Sequence, residues 1–141
     1  MITVSVINAH RFRRVPLRRT ARLVRSTLRS ERIDGAMVTV VMVDSRRIRR
    51  INRRYLAHDF VTDVISFPLE RRPRLEGEMY VNLDRARSQA REYGVSVWNE
   101  VVRLVIHGIL HLTGHDDRSR RGAVRMHRRQ EVLVDRLARR G

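Results

Sequence analysis

Residues 2–7, ITVSVI, alternate apolar and polar side chains as a half-buried strand does. Residues 36–43, AMVTVVMV, are a denser apolar run and read as a second, more buried strand. Between them Pro16 opens a helical stretch with Leu17, Ala21, Val24 and Leu28 at helical spacing and Arg18, Arg22, Arg25 and Arg29 on other faces. Asp44 or Ser45 is placed to cap a helix through about Leu56, which carries Arg46, Arg47, Arg49, Arg50, Arg53 and Arg54. Residues 63–67, DVISF, read as a strand that stops at Pro68. A loop or hairpin turn over 69–77 returns the chain into a partner strand at 78–82, EMYVN. Three helices follow: Asp84 to about Tyr93, Ser96 to about Thr113, and Ser119 to about Arg139. The order β-α-β-α-β-β-α-α-α predicts an α/β (α+β) fold with a mixed sheet of about four strands and helices packed on it. With no repeat or linker visible, residues 1–141 read as one domain.

Composition adds a partner to this picture. The apolar fraction of 42% supports a real core, but aromatics are only 5%, so Val, Leu, Ile, Ala and Met must fill it. The absence of cysteine excludes disulfides, thiolate metal sites and cysteine nucleophiles. Neither a signal-peptide pattern nor a membrane-length apolar run is visible, so a soluble, cytoplasmic protein with no membrane partner is expected. The formal net charge is +16, and all 31 basic residues are arginine. A genome rich in G and C accounts for Arg in place of Lys, but not for the excess over 15 acidic residues. Such a charge repels itself in the folded state and suits a polyanionic partner. Arginine forks onto phosphate and stacks on exposed bases, which favours RNA. Arg50, Arg53 and Arg54 are the candidate RNA-binding residues.

Candidate chemistry is concentrated in VVRLVIHGILHLTGHDD, residues 101–117. His107 and His111 are four apart on an expected helix, so both rings leave the same face, roughly 6 Å apart along the axis. Such a pair chelates one tetrahedral ion. Gly114 can take the left-handed conformation that ends a helix, and the turn returns His115, Asp116 and Asp117 toward the pair. The pattern His-x3-His-x2-Gly-x2-Asp then offers two imidazoles and a carboxylate, with a fourth position for water. A lone histidine on an apolar helix is more often a satisfied core residue, and His10, His58 and His127 are read as surface or structural. A metalloprotease pattern would place its glutamate base after the first histidine, where this chain has Gly108.

HGILHLTGHDD resembles the HGxLHLxGYDH signature of the YbeY family of metal-dependent endoribonucleases. INRRYLAHDFVTDVISFP resembles that family's LNxxYRxxDxxTDVLSFP segment, and GEMYVN its following GDIxI strand. The resemblance spans Asp44 to Asp117 with specific motifs. It implies a hydrolase specific for single-stranded RNA, with one zinc ion held by three histidines. It further implies action in ribosomal RNA maturation, including 16S rRNA 3′-end processing, and in quality control of the small ribosomal subunit. His107 and His111 match the first two ligands. The third ligand position falls at Asp117, while His115 takes the place of a family tyrosine; Asp117 is preferred by position and His115 is the alternative. A carboxylate ligand leaves the ion with less net positive charge and makes metals other than zinc more plausible.

A second departure concerns the cleft. The family has Arg after its Tyr, whereas Tyr55 here precedes Leu56, and Arg53 and Arg54 point elsewhere on a helix. Thr62, Asp63 and Ser66 match the second motif and are candidates to shape the cleft. The implied chemistry is phosphodiester hydrolysis, with the metal acting as Lewis acid or acidifying a water; no general base is identified by the sequence. The competing reading is an rRNA-binding or ribosome-binding assembly factor whose metal is structural.

Overall fold

A computed structural model describes residues 1–140. Strand β1 is Ile2–Asn8, helix α1 Leu17–Ser30, strand β2 Ala36–Val43 and helix α2 Ser45–Leu56. Strands β3 (Val64–Glu70) and β4 (Leu75–Asn82) form a hairpin, followed by helices α3 (Leu83–Tyr93), α4 (Val97–Leu112) and α5 (Arg120–Leu137) and a 3-10 turn at Ala138–Arg140. The four strands form one mixed sheet in the order β1-β2-β4-β3. β1 and β4 both run parallel to β2, and β3 runs antiparallel to β4. This is the single-domain α+β fold expected from the element order.

Side-chain alternation along β2 divides the interior in two. Val38, Val40 and Met42 face the main core with α1, α4 and α5, whereas Val41 and Val43 pack with Ile48 of α2 and Ile65 of β3 on the other face. Of the two residues expected to cap α2, Asp44 does so, and the expected first residues of α4 and α5 are their N-caps. Asp44 accepts the Arg47 N–H at 2.8 Å, Ser96 the Asn99 N–H at 3.0 Å and Ser119 the Gly122 N–H at 3.0 Å.

Two boundaries differ from the expectation. β3 does not stop at Pro68 but continues to Glu70, with a register shift between Pro68 and Glu70. It is an edge strand, so the missing proline N–H costs no ladder bond on a second neighbour, and the irregularity absorbs the ring. β4 accordingly begins at Leu75, three residues before the expected 78, because Leu75 is buried in the core and Gly77 lies under Leu112 of α4.

Helix α4 is the element that positions the chemistry. Val101, Val102, Leu104, Val105, Ile106, Gly108, Ile109, Leu110 and Leu112 are all buried, leaving Arg103, His107 and His111 as a partly exposed stripe at four-residue spacing. Gly108 is where α4 meets the sheet. A β-carbon there would lie 3.0 Å from Ser66 Oγ and 3.1 Å from Met79 Sδ. Ser66 Oγ donates to the Gly108 carbonyl at 3.0 Å, fixing the helix against β3. The position the sequence marks as lacking a protease base is therefore a close packing contact. Among the described residues no helix is long and apolar enough to cross a membrane.

Candidate metal centre

His107 and His111 project from α4 with ring centroids 4.8 Å apart and planes at 77°. Beyond Leu112, Gly114 adopts φ +107°, and the N–H groups of Gly114 and His115 return to the carbonyls of His111 and Leu110 at 3.1 and 3.0 Å. This reversal carries Asp117 back over the helix end, to 3.6 Å from His111 Nε2. One ligand atom from each of His107, His111 and Asp117 lies within 4.8 Å of the others. Donors on a tetrahedral zinc, with bonds of about 2.0–2.2 Å, stand roughly 3.3 Å apart, so small side-chain adjustments bring the three onto one ion.

The protonation states suit a cation. Gln130 Nε2 donates to Glu131 at 3.1 Å, so its Oε1 faces His107 Nδ1 at 2.6 Å. An amide oxygen only accepts, hence Nδ1 carries the proton and the Nε2 lone pair of His107 is left for a ligand. Burial pushes the His111 pKa below its ordinary value, with His107 acting in the same direction and Asp117 opposing. His111 is thus a neutral imidazole at pH 7. The Gln130 support extends inward: Glu131 holds Arg103 at 2.9 Å, and Arg103 reaches the buried Glu100 at 3.2 Å. Gln130 carries a sequence signal of its own, a lone amide on the face of α5 that holds Met126, Leu133 and Leu137.

His115 has a different engagement. Its Nε2 donates to Glu31 at 2.7 Å, and Arg129 holds the other Glu31 oxygen at 2.8 Å and the Ser30 carbonyl at 3.0 Å. The structure brings Asp117 together with the two helix histidines and ties His115 to the C-terminal end of α1. Asp116 pairs with Arg118 through contacts of 2.8–3.0 Å, and the Arg118 side chain holds its carboxyl down to about 2. Of the other histidines, His10 is buried and bonded to Asp84 at 2.7 Å, while His58 and His127 are exposed.

The centre opens onto a cleft of about 460 Å³ between α4, its following loop and the β3 side of the sheet. Leu56, Thr62, Ser66, Arg71 and Arg118 line it together with His107 and His111. Arg50, Arg53 and Arg54 do not; they stand exposed on α2, outside the cleft. Asp63 is directed away, accepting from Gln89 at 3.4 Å. Sequence reasoning missed both arginines of the cleft, Arg118 in the loop after α4 and Arg71 in the β3–β4 turn; Arg71 is the one free to meet a ligand. The Arg71 guanidinium lies 4.0 Å from the β-carbon position of Gly114, above the metal loop. Among the described residues its side chain has no carboxylate partner, unlike Arg118.

Known proteins share this arrangement of sequence. Residues 6–138 match the family model described as Endoribonuclease YbeY. A relative of that name from Chlorobaculum parvum is 39% identical over 71% of this chain and 71% of its own length. One from Chlorobaculum tepidum is 36% identical over 83% of this chain and 85% of its own. The solution structure of TM1509 from Thermotoga maritima aligns with a TM-score of 0.67 and 25% identity, covering 96% of this chain and 89% of that one. Because the family match runs from Val6 to Ala138, across the cleft and every helix that builds it, the chain belongs to the YbeY endoribonuclease family.

Proposed function

We propose that this protein is a metal-dependent endoribonuclease that hydrolyses phosphodiester bonds in single-stranded RNA, using one zinc ion held by His107, His111 and Asp117. The observation that carries the reading is the convergence of those three side chains, within 4.8 Å, beside an open cleft reached by Arg71. The donor set fits a divalent cation: one imidazole with its tautomer fixed, one held neutral by burial, and one carboxylate. Bound there, the ion supplies Lewis acidity toward a phosphate oxygen and acidifies water at neutral pH. Arg71 neutralises and orients the phosphate, its planar fork matching two oxygens. Asp116, with its pKa near 2, is too weak a base to take a proton from water at pH 7. Arg50, Arg53 and Arg54 contact the strand outside the cleft, where their exposed charges steer and hold its backbone.

The relatives' shared name supports RNA as substrate, and the charge of +16 suits a polyanionic partner. We place the activity in ribosomal RNA maturation, at the 16S rRNA 3′ end and in quality control of the small ribosomal subunit, in the cytoplasm. A second reading is favoured by Leu56, an exposed apolar side chain on the cleft wall: an assembly factor that binds ribosomal RNA around a structural metal.

Zinc-loaded protein and its His111→Ala variant, incubated with single-stranded RNA, test the assignment. Wild type cuts the strand and the variant does not. Equal cutting by both traces the activity to a contaminant and overturns it. Tight, salt-sensitive binding without cleavage selects the assembly-factor reading.

A further inference from the structure

Helix α2 ends at Ala57, a non-glycine residue in the left-handed conformation with φ +57°. The segment beyond it, residues 57–60, is firmly held. Asn52, buried within α2, accepts the N–H groups of Ala57 and His58 on its carbonyl, and its side-chain amide donates to the Phe60 carbonyl at 3.1 Å. Asp59 is held by Arg49 at 2.9 Å. Each of these four successive residues thus has a hydrogen bond to α2, and the side chains of His58 and Phe60 are left exposed at the cleft. Their rings stack with centroids 5.4 Å apart and planes within 16°. Phe60 is 54% exposed, although aromatic residues make up only 5% of the chain. Both rings line the same cleft as His107, His111 and Arg71.

More than half of the Phe60 surface stays open to water at the cleft, so packing within the fold leaves it free to meet a ligand. Its setting matches one ligand chemistry. A flat aromatic face beside a cationic cleft is how proteins hold a single nucleic-acid strand, the base on the ring and the phosphate on the guanidinium. We propose that Phe60, backed by His58, is a shelf on which an unpaired base of the RNA substrate stacks while the adjoining phosphate lies by Arg71. The inference rests on the RNA reading above and deepens it. A base within a duplex is already stacked on its neighbours and cannot offer its face, so the shelf selects unpaired RNA. Stacking on a ring does not discriminate among the four bases, so it selects strandedness and not sequence.

The test uses the full-length chain freed of metal by a chelator, so that the strand stays intact, and a short single-stranded RNA carrying 2-aminopurine. Stacking quenches the probe's emission when the wild type binds. Phe60→Leu weakens binding about 10-fold, the scale of one base stack, and Phe60→Trp stays within about threefold of wild type. Replacing the stacked nucleotide by an abasic one removes the difference between wild type and Phe60→Leu. Binding by Phe60→Leu within about twofold of wild type, or a deficit that persists on the abasic strand, overturns the shelf. A wild type that binds no single-stranded RNA overturns the RNA reading and the shelf with it. Quenching without cleavage by the zinc-loaded chain leaves the shelf standing and removes only the catalytic assignment.

Discussion

Gln130 shows how much of the candidate metal centre lies outside its proposed ligands. It touches no ion itself, yet its amide oxygen decides which nitrogen of His107 faces the cleft. Gln130→Leu, of similar volume and without the oxygen, frees the ring to turn and to change tautomer. Zinc affinity, measured by competition with a chromophoric chelator, is expected to fall roughly 10- to 100-fold in that variant while the unfolding midpoint in urea changes little. An unchanged affinity removes the orienting role. At this scale the sequence was legible where chemistry follows spacing. His107 and His111 share a helix face by arithmetic, and Gly114 marks the reversal that delivers Asp117. It was not legible where partners come from separate elements. Gln130 meets His107 across 23 positions and Arg71 reaches the Gly114 loop from the far hairpin, distances over which a single sequence carries no pairing rule.

Between elements, Asp84 ties several segments together. Lying in the first turn of α3, it accepts from His10 Nε2 at 2.7 Å, the Ser45 N–H at 3.0 Å and Arg13 Nε at 3.2 Å. It thus joins the segment after β1, the start of α2 and its own helix. Burial alone would push its carboxyl up, but the hydrogen bonds from His10, Ser45 and Arg13 together hold it below the ordinary carboxylate value. A folded-state pKa below the unfolded one gives stability that is complete above the unfolded value of about 3.9 and is lost as pH falls through the folded one. Asp84→Asn should therefore unfold at lower urea than wild type at pH 7, and the difference should shrink as pH falls below the ordinary carboxylate value. A constant difference across that range would mean the pairing contributes nothing through charge. Element types were legible because periodicity agreed with the cap at Asp44 and with the helix starts read at Ser96 and Ser119. The end of β3 was not, because the rule that proline stops a strand depends on strand order, and that is a property of the assembled sheet.

Taken whole, the molecule is a cation, and its charge acts at two ranges. On the function proposed above, exposed arginines on α2 and elsewhere would attract a polyanion from a distance set by the Debye length, while Arg71, which lines the cleft, would meet one phosphate there. Binding of single-stranded RNA should weaken steeply with salt, and Arg71→Ala should reduce the slope of log K against log salt by about 0.7, the loss of one phosphate contact. The reduction should be the same for strands of different sequence. A slope unchanged by the substitution removes Arg71 from the strand's path. The basic character was plain from composition, but which arginines meet the cleft was not. Arg50, Arg53 and Arg54 adjoin the motif in sequence and lie outside the cleft in space.

The support of the metal centre also has an order in time. All three proposed ligands precede residue 118, but the groups that steady them do not: Gln130 orients His107, and Arg129 shares Glu31 with His115 at the base of the ligand loop. A growing polypeptide carries the histidines and the aspartate before it carries the helix that aligns them. During synthesis the centre is therefore incomplete until α5 has emerged and docked. On the reading proposed above, a chain still being made beside the RNA of its own ribosome is a nuclease not yet assembled.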